Sequence, residues 1–231
     1  PHATIVAGPH PNPAWLLRAV ERAEDLGMIA GVRARASRLA EGSLVKDLAQ
    51  AGVDHVDVLY LSARADVHDA LAGPGDHAKA LDVIARVQDN EVCAVAEVAL
   101  VAATMEWIEE TLHSLGPLGV GNAAFWAVAV AGPEPPDGPL PAAAMIQAAK
   151  TVEEASLESR VRFLWYAPLM YSPQLTLSEH VCLGPRASGD LAIRVEPDGS
   201  VLAPRGTPRP AGNLLRASWD QIQASPVFDD Y

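Results

Sequence analysis

With 231 residues, 49% apolar and 20% charged, the chain can bury a large core, either as one α/β barrel-like unit with an appendage or as two small domains. A formal charge of -12 argues against a nucleic-acid binder, because a duplex repels such a surface unless one basic face stands out, and only Arg33, Arg35 and Arg38 cluster. No apolar run free of charge and proline reaches membrane-spanning length, and Cys93 and Cys182 lie far apart without a Cys-x-x-Cys neighbour, which fits free thiols in a reducing cytoplasm. No signal-peptide pattern opens the chain, and because it starts at Pro1 rather than Met, further residues upstream are expected.

Thr4 to Ala7 reads as a short strand ending at Gly8. Pro13 then opens an amphipathic helix with Trp15, Leu16, Ala19, Val20, Ala23 and Leu26 at helical spacing, closed by Gly27. Met28 to Arg33 is a second strand, Leu39 to Gln50 a second helix, and Gly52 the turn into the stretch on which the chain is organised, Ala51-Gly-Val-Asp-His-Val-Asp-Val-Leu-Tyr-Leu61. Its Val and Leu density fits a parallel strand covered on both faces. Helices follow over Ala65 to Ala72 and Asp76 to Gln88, the latter burying Ala80, Leu81, Ile84 and Val87. Val92 to Val101 is the fourth strand, Met105 to Leu115 a helix with Trp107, Ile108, Thr111 and Leu112 inward, and Ala123 to Ala131 the fifth strand. Such alternation points to right-handed parallel βαβ units.

Prolines and glycines make Gly132 to Pro139 a loop. Pro141 to Ser159 restarts as a helix, and Val161 to Tyr166 is the sixth strand. From Pro168 the texture changes. Leu191 to Val195 and Ser200 to Leu202 flank the turn Glu196-Pro-Asp-Gly199, a hairpin signal in which Pro presets one turn angle and Gly accepts the positive one. Thr207 to Gly212 is a loop, and Ser218 to Ser225 a last short helix.

In that order the pieces resemble the radical S-adenosylmethionine (radical SAM) superfamily with a SPASM-type C-terminal extension. The motifs that carry the likeness are Ala51-Gly-Val-Asp-His-Val-Asp-Val, then Val67-His-Asp-Ala-Leu-Ala-Gly73, similar to the family's "HD-x-L-x-G" helix. At the end, Val195-Glu-Pro-Asp-Gly-Ser-Val-Leu202, Gly212-Asn-Leu-Leu and Ser218-Trp-Asp-Gln-Ile-Gln-Ala-Ser-Pro-Val-Phe228 are similar to its "GN…W-x-x-I…S-x-x-F" close. The resemblance implies an incomplete (β/α) TIM-like barrel over residues 1–170, followed by a small hairpin-plus-helix extension over 171–231.

The family binds a [4Fe-4S] cluster through a Cys-x3-Cys-x2-Cys loop after its first barrel strand, and that strand and loop are absent here. The strand at Thr4 matches the family's second, whose Gly-Gly-Glu-Pro is replaced by Ala7-Gly8-Pro9-His10, and a proline removes the carboxylate an ammonium group needs. Thr-Asn-Gly is replaced by Ala34-Arg35-Ala36, "SLDG" by Leu59-Tyr60-Leu61-Ser62, and the "V-x-P-C" run by Val201-Leu202-Ala203-Pro204, which leaves Cys182 as the lone survivor of that pattern. One Cys cannot hold a cluster, so no cofactor is expected on this chain alone.

Leu59 faces the barrel interior if the resemblance holds, and period-two alternation then puts Asp57 and His55 on the same face. Glu97 stands alone in an apolar strand, where a carboxylate needs a partner, and Arg33 or Arg35 on the neighbouring strand is its natural one. Two alternatives stand: a small polar pocket of Arg33, Arg35, Asp57, Glu97 and Trp126, or a structural ion pair filling vacated space. The seven histidines show no ligand spacing and are expected as caps or surface groups, with His68-Asp69 packing its helix, and Cys93 as a small hydrophobe.

The expected function is that of a non-catalytic homologue, a partner or substrate-binding subunit beside a cluster-bearing maturation enzyme. A protein partner or a second copy would cover the open barrel edge, and a peptide or small molecule is the expected ligand. Two alternatives remain: the C-terminal part of an active enzyme whose cysteine loop lies upstream or on another chain, and a metal-free enzyme using Asp57 and Glu97 as acid and base.

Overall fold

The structure, a computed structural model, describes residues 1–8, 12–127, 140–165, 176, 179, 192–202 and 209–228. Two sheets form. The larger is parallel and runs in chain order through β1 (His2–Val6), β2 (Ile29–Ala34), β3 (His55–Leu59), β4 (Cys93–Leu100), β5 (Asn122–Ala127) and β6 (Arg162–Trp165). Each strand pairs with its chain neighbour, the winding of a TIM-like barrel. Among the described residues β1 does not pair with β6, so no closed barrel forms. The class is α/β, as expected, and the ring is open.

The connecting helices roof one face. They are α1 (Pro13–Asp25), α2 (Ala36–Leu39), α3 (Leu44–Gln50), α4 (Ala65–Ala72), α5 (Asp76–Asp89), α6 (Ala102–Met105), α7 (Ile108–Leu115) and α8 (Ala142–Glu158). The core lies between them and the sheet, where Ala30, Val32, Val56, Val58, Ala96, Val98 and Phe125 meet Val20, Leu48, Ile84, Leu115 and Val152. Removal of this apolar area from water is the main stabilising term. The alternate residues of each strand form the opposite, inner face, and this is where the polar residues of the sheet collect.

Local chemistry explains most boundaries. Asn12 accepts the Ala14 N–H at 3.0 Å and Pro13 occupies the first turn of α1. Trp15 and Leu26 share the apolar spacing of α1 but are exposed, Trp15 lying under the Arg18 guanidinium. The single helix expected over Leu39 to Gln50 is two, because Gly42 adopts a φ of 54° that breaks the first. The helix expected from Met105 is also split at Glu106 and Trp107, and Trp107 is half-buried under the Arg64 guanidinium rather than turned inward. Of the expected fifth strand, residues 128–131 lie outside the described residues, as do the loop 132–139, Tyr166, and Cys182.

The second sheet is antiparallel: β7 (Arg194–Val195), β8 (Ser200–Leu202) and β9 (Gly212–Asn213), followed by α9 (Trp219–Gln223). The hairpin turns at Gly199 as expected, with φ 83°. A third strand replaces the end of the expected loop. Gly212 is needed there, since a Cβ would stand 2.7 Å from Ile222 Cγ1, the buried residue of α9.

Candidate functional site

The inner face owes its grouping to register. Arg33 on β2 stands opposite Val6 on β1 and Asp57 on β3, Leu59 opposite Glu97 on β4, and Ala99 opposite Trp126 on β5. Paired residues of parallel strands point to the same side. Arg33, Asp57, Glu97 and Trp126 therefore converge without any loop to hold them.

The Arg33 guanidinium nitrogen Nη2 donates to Asp57 Oδ2 at 3.1 Å and sits 2.5 Å from Glu97 Oε1, while the guanidinium lies 4.2 Å over the Trp126 ring. Asp57 and Glu97 are 3% and 5% exposed. Burial pushes the Glu97 carboxyl up to about 7, the Arg33 charge pulling the other way and the Asp57 charge adding to the rise. Two buried carboxylates thus share one guanidinium. Arg35, the remaining expected member, is not brought in: its side chain is exposed at the start of α2, where its carbonyl accepts from Arg38 and Leu39. Nor does the basic trio hold, since Arg38 pairs with Glu41 at 2.6 Å.

The network extends toward the N-terminal ends of the strands. His55 Nδ1–H donates to Asp57 Oδ1 at 2.8 Å, and His55 Nε2 faces His2 Nε2 at 2.7 Å. Alternation along β3 placed His55 here in advance. His2 was passed over because a histidine at the end of a lone short strand gives no signal until its partner strand is known. Gly31 is the second missed member: it pairs with His55 in register, and a Cβ on it would meet His55 Cε1 at 2.1 Å. Its missing side chain is the space the imidazole occupies.

The other expected positions have structural tasks. His68 is fully buried, accepts the Leu61 N–H on Nδ1 at 3.1 Å and points Nε2–H at Asp76 Oδ2, 3.3 Å away. Asp69 accepts the N–H groups of Gly75 and His77, so the His-Asp pair anchors α4 to α5. Ser62 is buried and accepts the Arg64 N–H at the entry to α4.

The fold raises the question of a cluster. Cys93 stands at the N-terminal end of β4, level with His55, and its Sγ accepts from Asn122 Nδ2 at 3.1 Å. Cys182 lies outside the described residues. A four-iron cluster needs three or four thiolates grouped together, and the chain has two cysteines, so its residues do not fit that group. Among the described residues no three His, Cys, Asp or Glu side chains are arranged around one metal.

Fold and inner face together define an open (β/α) half-shell with a polar, ion-paired interior. No family model and no curated protein matches the chain. Solved structures do. It is similar to a domain of pyruvate-formate lyase-activating enzyme from Bacteroides vulgatus ATCC 8482, at 12% identity over 70% of this chain and 97% of that one, with a TM-score of 0.51. Native anSMEcpe with bound AdoMet matches at 11% over 100% of this chain and 68% of that one, TM-score 0.69. Streptococcus suis SuiB matches at 11% over 97% of this chain and 56% of its own, TM-score 0.68, and has also been solved bound to the precursor peptide SuiA. At such identities the likeness is one of fold alone.

Proposed function

We propose that this chain is a radical SAM-type scaffold, with residues 1–170 as a partial barrel and 171–231 as a SPASM-like extension, acting in the cytoplasm as a non-catalytic partner or peptide-binding subunit of a cluster-bearing enzyme. The observation that carries this is the placement of Cys93, which is engaged with Asn122 at the N-terminal end of β4, away from the C-terminal ends of the strands where α/β barrels do chemistry. The inner face is instead occupied by its own ion pairs. A peptide ligand draws support from SuiB, which has been solved bound to the precursor peptide SuiA. Among the described residues no helix is long and apolar enough to cross a membrane.

A second possibility is favoured by length: the chain spans 68% of anSMEcpe and 56% of SuiB, which leaves room for a cysteine loop upstream or on another chain. Acid–base catalysis by Asp57 and Glu97 has less behind it, because the guanidinium of Arg33 ties down both carboxylates. Anaerobic reconstitution of the full gene product with iron and sulfide separates these. We expect colourless protein and co-purification of a separate brown iron–sulfur protein; stoichiometric iron and sulfide on the protein alone would overturn the partner role.

A further inference from the structure

His2 and His55 reach across from β1 to β3 and bring their Nε2 atoms within 2.7 Å, ring planes 89° apart. A hydrogen bond between two imidazoles accounts for the distance but not for what stands behind it. His55 Nδ1–H is held by Asp57, and Asp57 by Arg33, a chain that fixes the His55 tautomer and leaves the Nε2 lone pair aimed at His2. A carboxylate gripping the far nitrogen of a histidine is the outer support that metal-binding imidazoles carry. Gly31 clears the volume the His55 ring needs.

We propose that His2 and His55 form a site for one first-row divalent cation, nickel or copper before zinc. Two nitrogens held at about 2.0–2.1 Å from one ion stand about 2.9 Å apart when the ligands meet at a right angle and about 3.4 Å apart in a tetrahedron. The observed separation matches the right-angled geometry with a small opening, whereas zinc requires the rings to part further. Water fills the remaining positions, with Thr4 Oγ1, 3.3 Å from His2 Nε2, placed to orient it.

Charge points the same way. Two acidic side chains, Asp57 and Glu97, face the one guanidinium of Arg33 behind His55, a setting of carboxylates that suits a cation. The site is independent of the partner role proposed above.

The test is calorimetric titration of the tag-free full chain with Ni²⁺, alongside His2→Ala, His55→Asn and a control at the exposed His113, with circular dichroism to confirm folding. We expect one Ni²⁺ per wild-type chain, unchanged in His113→Ala and weakened at least tenfold in both site variants. Cu²⁺ electron paramagnetic resonance should show coupling to two imidazole nitrogens in wild type and one in His2→Ala. Absent binding, or binding of undiminished affinity in either site variant, overturns the proposal. Should a site variant fail to fold, the two-nitrogen copper signal of the wild type still decides.

Discussion

Arg33 sets one positive charge between two buried carboxylates, Asp57 and Glu97. Glu97 has a folded pKa of about 7 against an ordinary 4.5, so its protonated form favours the fold: that contribution is whole below about pH 4.5 and is lost as pH climbs through about 7. Glu97→Gln removes the titration while leaving Arg33 paired one to one with Asp57. We expect the stability lost by wild type between pH 5 and pH 8 to shrink in this variant by about 2–3 kcal/mol, read from urea midpoints at the two pH values. Arg33→Gln strands both acids in the interior, at a cost of roughly 3–5 kcal/mol at pH 8 and visibly less at pH 5, where Glu97 takes up a proton. An unchanged pH slope in Glu97→Gln would rule Glu97 out as its source.

Pairs of strands, more than single residues, decide what the inner face can hold. Gly31 and His55 are register partners, and the imidazole fills the space over the glycine. Gly31→Ala should therefore displace His55 and cost about 1–3 kcal/mol, while in a His55→Ala background the same change should cost little. A double-mutant cycle by chemical denaturation measures that coupling, and additive costs would disprove the contact. Elements of this kind show where the sequence was legible. The strand positions followed from apolar runs roofed by helices, Asp57 and His55 from alternation along β3 once the resemblance turned Leu59 inward, and Glu97 from standing alone among the apolar residues of β4. What stayed hidden depends on neighbours: the Gly42 break needed a backbone angle, β9 needed β8 beside it, and the roles of His2 and Gly31 exist only once β1 lies against β2. Arg35 was expected inside because it sits near Arg33 in the sequence, but the chain has already left β2 for α2, and the side chain stays in solvent.

At the scale of the whole molecule, the sheet ends in strands that pair on one side only among the described residues. On β1, Ile29 N–H donates to the Pro1 carbonyl and Ala7 N–H to the Arg33 carbonyl. A parallel ladder uses alternate residues, so His2, Thr4 and Val6 turn their N–H and C=O groups to the open edge. Val6 and Ile29 beside them are 65% and 54% exposed, where a barrel interior would bury them. Hydrogen exchange should resolve this asymmetry in the isolated chain. Amides of β3 and β4, flanked by strands on both sides, should exchange only through global unfolding, whereas those of His2, Thr4 and Val6 should exchange orders of magnitude faster. Dilution tells an intrinsic edge from one covered by a second copy, since protection owed to self-association falls with concentration. A subunit that works beside another protein through this edge predicts selective slowing of those three amides when the partner is added. Protection of β1 equal to that of β3 in a dilute monomer would mean the edge is closed by the chain itself, and the opening would then not be available to a partner.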